Sequence, residues 1–142
     1  MAPQRKLKVG VLGATGMVGQ RFLTLLEKHP WFEVTLVAAS PSSAGKPYAE
    51  AARGRWALAA PMPPAIAGLV VRNAADVEAI SAEVDFVFCA VDMSKEETAK
   101  LEEAYARHET PLVSNNSAHR GTPDVPMMIP EINWEHAKVI EA

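Results

Sequence analysis

Apolar runs of strand length alternate with helix-like spacings along this chain of 142 residues. Near-continuous apolar segments predict buried β-strands, whereas apolar residues three and four positions apart predict amphipathic helices. The predicted strands cover residues 6–12, 33–40, 69–72, 85–91 and 111–114. The predicted helices cover residues 17–29 and 73–83, and a third helix follows Ser94.

Local signals define the ends and faces of two of these helices. The first should end before Pro30, because proline does not continue a helix. Its predicted apolar face consists of Val18, Phe22, Leu25 and Leu26. The third should begin at a capping box, in which the Ser94 hydroxyl accepts from the Glu97 amide and the Glu97 carboxylate reaches back. Its predicted apolar face consists of Leu101, Ala104 and Tyr105.

Strands that alternate with crossover helices predict an α/β fold of the Rossmann type. We expect a doubly wound, mainly parallel sheet with helices on both faces. The length fits a single domain over residues 1–142. Residues 41–64, rich in serine, proline and small side chains, are predicted to lie over the sheet edge, with a short helix at 49–55. Residues 115–142 are rich in proline and polar residues and end in a helix-like segment.

Composition and charge narrow the class of protein. Hydrophobic residues make up 49% and charged residues 22% of the sequence, as in globular proteins with a substantial core. The net charge is −3, and the basic cluster at 53–56 is too short to indicate a nucleic-acid partner. No apolar run reaches membrane-spanning length, and no signal-peptide pattern is present. We therefore expect a cytoplasmic protein with no membrane or nucleic-acid partner.

Cys89 is the single cysteine of the sequence, which excludes an internal disulfide and a multi-cysteine metal site. It lies inside the predicted strand 85–91, a setting typical of a buried thiol rather than a nucleophile. The histidines, including His119, show no ligand-like spacing, so no metal site is expected. Five further large side chains are predicted to pack, either in the core or at a face toward a further domain: Trp31, Trp56, Met127, Met128 and Trp134.

A glycine-rich turn joins the first predicted strand to the first predicted helix. Gly13, Gly16 and Gly19 form a GxxGxxG pattern in that context. Such glycines allow backbone amides and the positive end of the helix dipole to approach a pyrophosphate, and Thr15 can add a hydroxyl. The competing interpretation is a turn that only packs the helix onto the strand. The context favours dinucleotide binding.

The end of the second predicted strand bears on the choice of dinucleotide. NAD-binding proteins usually carry an acidic residue there to hold the ribose 2′-hydroxyl. This strand instead ends in alanines followed by Ser40, and the loop offers Ser42, Ser43 and Lys46. Hydroxyls and one cation suit a 2′-phosphate, so the loop favours NADP. The alternative is an ordinary serine-rich surface loop.

Four separated motifs together resemble the aspartate-semialdehyde dehydrogenases, and most closely their archaeal and fungal branch. The motifs are GVLGATGMVGQRF at 10–22, SAGK at 43–46, SNNSAHR at 114–120, and DVP at 124–126 with IPEIN at 129–133. The resemblance extends from residue 6 to about residue 142. The related malonyl-CoA reductases share much of this pattern, whereas N-acetyl-glutamyl-phosphate reductases fit the last two motifs less well.

The resemblance implies an NADP-dependent oxidoreductase. Members of the family reduce L-aspartyl 4-phosphate to L-aspartate 4-semialdehyde with NADPH, in the biosynthesis of lysine, threonine and methionine, and the full-length enzyme is expected to be a homo-oligomer. The resemblance implies two substrate-binding residues, Asn115 and Arg120, for which a surface ion pair between Arg120 and Asp124 is the alternative. The implied cofactor-binding residues are Gly13, Ala14, Thr15, Gly16, Met17, Val18, Ser40, Ser43, Lys46 and Ala90.

The sequence departs from the family pattern in two respects. Many relatives carry an arginine in the 2′-phosphate loop, where this chain has Pro41 and Ser42. The family's catalytic cysteine lies in an Asn-Cys-(Ser/Thr) motif beyond the PEIN stretch, and the sequence contains no such motif up to Ala142. We therefore expect a dinucleotide-binding part of the enzyme without catalytic residues of its own. A free-standing nucleotide-binding module is the alternative.

Overall fold

The computed structural model describes residues 4–141 and contains a parallel sheet with the strand order β3-β2-β1-β4-β5. This order places the first strand at the centre, as in a dinucleotide-binding fold whose chain first winds one way and then the other. The strands are β1 (Leu7–Leu12), β2 (Phe32–Ala39), β3 (Arg72–Asn73), β4 (Phe86–Cys89) and β5 (Leu112–Ser114).

Helices cover both faces of the sheet, as predicted. They are α1 (Met17–Leu26), α2 (Tyr48–Ala51), α3 (Pro64–Ala67), α4 (Val77–Glu83), α5 (Lys95–Arg107) and α6 (Pro130–Asn133), followed by a 3₁₀ helix (Trp134–Glu141). On one face, Leu23 of α1 packs with Val11 and Val37. On the other, Ile80 of α4 and Tyr105 of α5 pack with strand residues. The doubly wound architecture follows from these two cores.

The central strand is fully buried along most of its length. Val9, Val11 and Leu12 are all 0% exposed, because β1 pairs with β2 on one side and β4 on the other while helices cover both faces. At the amino-terminal edge, Asp85 joins the two chain segments that enter β1 and β4. Its carboxylate accepts from the Lys8 amide at 2.7 Å and from the Arg5 guanidinium at 3.0 and 3.1 Å.

The predicted end and apolar face of the first helix were partly wrong. The helix ends at Leu26, four residues before Pro30, so the proline does not end it. Lys28 then adopts a left-handed conformation with φ of 57°. Leu25 is 62% exposed and Val18 40% exposed, whereas Leu23 and Leu26 are buried. The spacing of apolar residues allowed either of two faces of the helix to be buried. Packing against the sheet buries the face that contains Gln20 and Leu23.

The region around the third strand also required correction. Residues 69–72 were predicted as a strand, but only Arg72–Asn73 pairs with β2, while Val70 forms an isolated antiparallel bridge with Pro47. The excursion at 41–64 does more than lie over the sheet edge. Its Tyr48 is 0% exposed and, with Ile66 of the following helix, is packed into the core beside Val11. This segment therefore helps to build one face of the fold.

The carboxyl-terminal segment packs little within residues 4–141. Neither α6 nor the 3₁₀ helix contains a buried residue. Trp31 and Trp134 do not pack within residues 4–141, where they are 67% and 61% exposed, and Met127 and Met128 are exposed as well. Their contact with a further domain stays a prediction. Trp56 does pack against the core. Across the described residues, no helix has the length and apolar character needed to cross a membrane.

Candidate functional site

The glycine turn between β1 and α1 is fastened to the neighbouring strand. Gly13 has φ of +77°, and the amides of Gly13 and Ala14 both donate to the Ala38 carbonyl oxygen, at 2.9 and 3.0 Å. These two amides therefore secure the turn to the end of β2. The amides that remain for a ligand belong to the residues that follow them.

Two of the three glycines are required by close backbone approach. A β-carbon on Gly13 would lie 2.3 Å from the Ala90 carbonyl oxygen, and one on Gly19 would lie 2.1 Å from the Gly13 carbonyl oxygen. Both distances are far below contact, and both neighbours are backbone atoms. A β-carbon on Gly16 would meet only the Gly13 oxygen, at an ordinary 3.6 Å. Packing therefore explains why positions 13 and 19 require glycine. It does not explain glycine at position 16, which is exposed to solvent.

The amino terminus of α1 is exposed and has no side-chain cap within residues 4–141. Gly16 is its N-cap, and its first turn carries no acidic residue. The first intrahelical bond runs from the Gln20 amide to the Gly16 carbonyl oxygen, so the amides of Met17 and Val18 precede it. Both residues are exposed. By contrast, the Ser94–Glu97 capping box predicted for α5 is present, so α1 alone of these two helices offers free donors.

Two buried side chains that sequence reasoning missed hold this turn in place. Tyr48 donates its hydroxyl to the Ala14 carbonyl oxygen at 2.7 Å, and burial raises its pKa, which keeps it a neutral donor. Gln20 donates to the carbonyl oxygens of Thr15 and Arg55, at 2.9 and 2.8 Å, and accepts from the Ala57 amide at 2.8 Å. The sequence could have indicated the role of Gln20, because it is a polar residue one helical turn after Gly16 on the face of α1 that is buried.

The serine loop lies directly beside the turn, at the end of β2. The hydroxyls of Ser40 and Ser42 are 2.9 Å apart and both residues are exposed, whereas Ser43 is only 4% exposed. The loop is closed by backbone bonds from the Ser43 amide to the Ser40 carbonyl oxygen and from the Gly45 amide to the Val71 carbonyl oxygen. Lys46 follows on the exposed side. The loop after β2 thus carries two exposed serine hydroxyls and one exposed lysine.

The other end of the site lies at the tips of β4 and β5. The Ala90 amide donates to the Leu12 carbonyl oxygen at 2.9 Å, which holds Ala90 beside Gly13. The Asn115 amide donates to the Cys89 carbonyl oxygen at 2.9 Å, and the Asn115 carbonyl accepts from the Arg120 guanidinium at 2.9 Å. Arg120 is therefore joined to Asn115, and the ion pairs of residues 4–141 do not include the Arg120–Asp124 alternative.

A small open cleft of about 190 Å³ lies next to these strand tips. It is bordered by Val91 after β4, Lys95 and Thr98 of α5, and Asn116 and Ser117 after β5. Its position at the carboxyl edge of the parallel sheet is where ligands of doubly wound folds bind. The residues singled out from the sequence thus converge on one edge of the sheet.

Cys89 is a core residue, as predicted. It is 0% exposed, and burial raises the pKa of its thiol to about 12, so it remains protonated at neutral pH. Asn116 donates its side-chain amide to the sulfur at 3.6 Å. Within residues 4–141, no three side chains of histidine, cysteine, aspartate or glutamate are grouped so that they could hold a metal ion.

Comparison with known proteins gives the same family along nearly the whole chain. Residues 8–140 match the family described as "Semialdehyde dehydrogenase, NAD binding domain". The chain is 46% identical over 137 residues to an aspartate-semialdehyde dehydrogenase of Methanothermobacter thermautotrophicus, and 41% identical over 134 residues to that of Schizosaccharomyces pombe. These matches cover 95% and 94% of this chain and 37% and 36% of the relatives. The chain therefore spans little more than a third of their length.

A solved structure shows the same fold. The aspartate semialdehyde dehydrogenase of Candida albicans, crystallised with NADP, superposes with a TM-score of 0.87 at 38% identity, over 96% of this chain and 37% of that one. The match includes the parallel sheet and its helices, which confirms the predicted Rossmann-type architecture. The chain belongs to the semialdehyde dehydrogenase family, whose NAD-binding domain its residues 8–140 match.

Proposed function

We propose that this chain is the cofactor-binding part of an NADP-dependent aspartate-semialdehyde dehydrogenase. The observation that carries the proposal is the uncapped, exposed amino terminus of α1, placed beside a loop with hydroxyls and a lysine but no carboxylate. A free helix terminus favours a pyrophosphate, and the loop favours a 2′-phosphate. The relatives named aspartate-semialdehyde dehydrogenase, and the NADP bound by one of them, support this assignment.

In this proposal the cofactor lies along the carboxyl edge of the sheet. The pyrophosphate accepts from the amides of Met17 and Val18, close to Gly16 and Thr15. The 2′-phosphate is held by the exposed hydroxyl of Ser40 and by Lys46, with Ser43 shaping the loop from inside. Gly13 and Ala14 serve by holding the turn against β2, and the nicotinamide end extends toward Ala90.

The substrate end of the proposal involves Arg120 and Asn115. A guanidinium group binds phosphate or carboxylate through paired hydrogen bonds, which suits L-aspartyl 4-phosphate as a small-molecule substrate. NADP supplies the hydride chemistry when bound, and the nucleophile belongs to residues outside this chain, since Cys89 is buried. The complete enzyme would function in the cytoplasm, in the biosynthesis of lysine, threonine and methionine, as a homo-oligomer.

Calorimetric titrations with NADPH and NADH test the cofactor assignment. We expect the chain to bind NADPH more tightly than NADH. Replacement of Lys46 by alanine should weaken the binding of NADPH by about tenfold or more, the cost of one hydrogen bond between charged groups, and leave the binding of NADH unchanged. Lys100→Ala, which removes an exposed lysine of α5 that pairs with Glu96, is the matched control and should bind both cofactors normally.

The same titrations can overturn the proposal. Equal affinity for NADPH and NADH would contradict the 2′-phosphate site while leaving the pyrophosphate site in place. Binding of neither cofactor by a chain that circular dichroism shows to be folded would contradict the dinucleotide site itself.

A further inference from the structure

Glu102 is a buried carboxylate that the proposed function does not use. It lies on the inward face of α5 and is 6% exposed. The ion pairs within residues 4–141 include no partner for Glu102, which accepts from the hydroxyl of Ser114, at the end of β5. Glu102 also lies near the Cys89 thiol and, after burial, contributes to the raised pKa of that thiol. A carboxylate at such a position costs free energy that an apolar residue would not. Its hydrogen bond with Ser114 offsets part of this cost and links α5 to the end of β5.

The Ser114 hydroxyl connects Glu102 to the turn that follows β5. Because its hydrogen is donated to Glu102, its lone pairs face the opposite side and accept from the Asn116 amide at 2.9 Å. The Asn116 side chain is then directed at the Cys89 sulfur, at 3.6 Å. Asn115, between them, is bonded through its amide to the Cys89 carbonyl oxygen. The path of the chain beyond β5 is thus fixed at both residues.

This turn carries two residues, Asn115 and Asn116, at the β4 and β5 end of the proposed site. The Asn115 carbonyl oxygen holds the Arg120 guanidinium at 2.9 Å, and Asn116 borders the cleft beside Val91. The turn lies at the tips of β4 and β5, whereas the serine loop lies at the tip of β2. A change that loosens the turn would therefore disturb one end of a bound dinucleotide and spare the other.

We propose that Glu102 is a positioning residue for the nicotinamide end of the site. Through the Ser114 hydroxyl it holds the Asn115–Asn116 turn in the conformation that meets the cofactor beyond Ala90. This inference rests on the proposed function, because it requires a dinucleotide that extends from the serine loop to the tips of β4 and β5.

A comparison of a whole and a half cofactor tests the role of Glu102. NADPH spans the whole proposed site, whereas adenosine 2′,5′-bisphosphate is only the adenosine half of the cofactor and does not reach the tips of β4 and β5. For Glu102→Ala we expect NADPH to bind about tenfold more weakly, the effect of one charge-assisted hydrogen bond. The affinity for adenosine 2′,5′-bisphosphate should change by less than about twofold. A general loss of structure would weaken both ligands alike.

Further variants test whether the effect passes through Ser114. Glu102→Gln retains an oxygen that can accept from Ser114 and should recover most of the NADPH affinity. Ser114→Ala should reproduce Glu102→Ala, and the double variant should be no weaker than either single variant, since residues that act in series are not additive. Glu96→Ala, which removes an exposed carboxylate of the same helix, is the matched control and should bind both ligands normally.

The outcomes separate this inference from the proposed function. Failure of the unsubstituted chain to bind adenosine 2′,5′-bisphosphate would overturn the proposed function, and this inference with it. Normal binding by the unsubstituted chain, combined with an equal loss of both ligands or no loss of NADPH in the variants, would overturn the positioning role alone. If Glu102→Ala does not fold by circular dichroism, Ser114→Ala and Glu102→Gln decide the question by the same comparison.

Discussion

At the scale of single residues, one glycine of the turn is needed for stability and another for the proposed binding of the cofactor. Gly19→Ala would place a methyl group 2.1 Å from a backbone oxygen, and we expect it to lower the free energy of unfolding by about 1–3 kcal/mol, the usual cost of overpacking. Gly16→Ala meets only an ordinary contact at 3.6 Å. Gly16→Ala should lower the free energy of unfolding by less than about 1 kcal/mol. It should nevertheless weaken the binding of NADPH by about tenfold or more, because the added methyl group lies where the pyrophosphate must come close to the backbone.

Urea denaturation and NADPH titration of the two glycine variants measure these effects. Gly68→Ala is the matched control, since Gly68 has a negative φ and its β-carbon would meet open space. Wild-type NADPH affinity in Gly16→Ala would show that the pyrophosphate does not lie at this helix terminus.

At the scale of elements, Asp85 couples the entry of β1 to the entry of β4. The Lys8 amide and then the Arg5 guanidinium hold the pKa of this carboxyl below its ordinary value of 3.8. A lowered folded-state pKa means that the stabilisation is fully present above about pH 4 and is lost as the pH falls through the folded-state pKa. Asp85→Asn should therefore be less stable than the unsubstituted chain at pH 7, and the difference should shrink as the pH falls below about 4.

Urea denaturation of the two proteins between pH 7 and pH 3 measures the difference. Asp124→Asn removes one exposed carboxylate from a loop and serves as the reference for the loss of charge alone. A stability difference for Asp85→Asn that stays constant over this range would contradict the role of the ionised carboxylate.

At the scale of the whole molecule, two irregular segments differ in how they are anchored. Residues 41–64 contain buried Tyr48, which bonds to Ala14. The segment 121–141 exposes Met127, Ile132 and Trp134, and its two helices bury no residue. Local opening is easiest where few apolar contacts are made. Thermolysin should therefore cut first within 121–141 and leave a product that retains the sheet, which mass spectrometry of the fragments can identify.

The proteolysis experiment has a built-in comparison, because both segments are rich in loops and differ mainly in their contacts. First cleavage within 41–64 would contradict the anchoring by Tyr48. Replacement of Tyr48 by phenylalanine keeps the packing but removes the bond to Ala14, and it should make that segment more sensitive while leaving 121–141 unchanged.

Much of the fold and part of the site could be predicted from local patterns. The strand that carries Cys89 and the capping box at Ser94 were both recognised from a few neighbouring residues. The face of α1 was not, because its spacing allowed Leu25 or Leu23 to be buried and the sheet selected Leu23. The short β3 was misplaced for a similar reason, since its pairing depends on where the chain returns to β2.

The sequence by itself determined the order of strands and helices, the glycine turn and the family, because each depends on residues close together in the chain or on motifs read in order. The tertiary structure alone decided which side chains support the site. Gln20 reaches Arg55, Tyr48 reaches Ala14, and Glu102 reaches Ser114 across 35, 34 and 12 positions. No local periodicity specifies such bonds, because a buried polar group finds its partner only when the packed elements bring the two together.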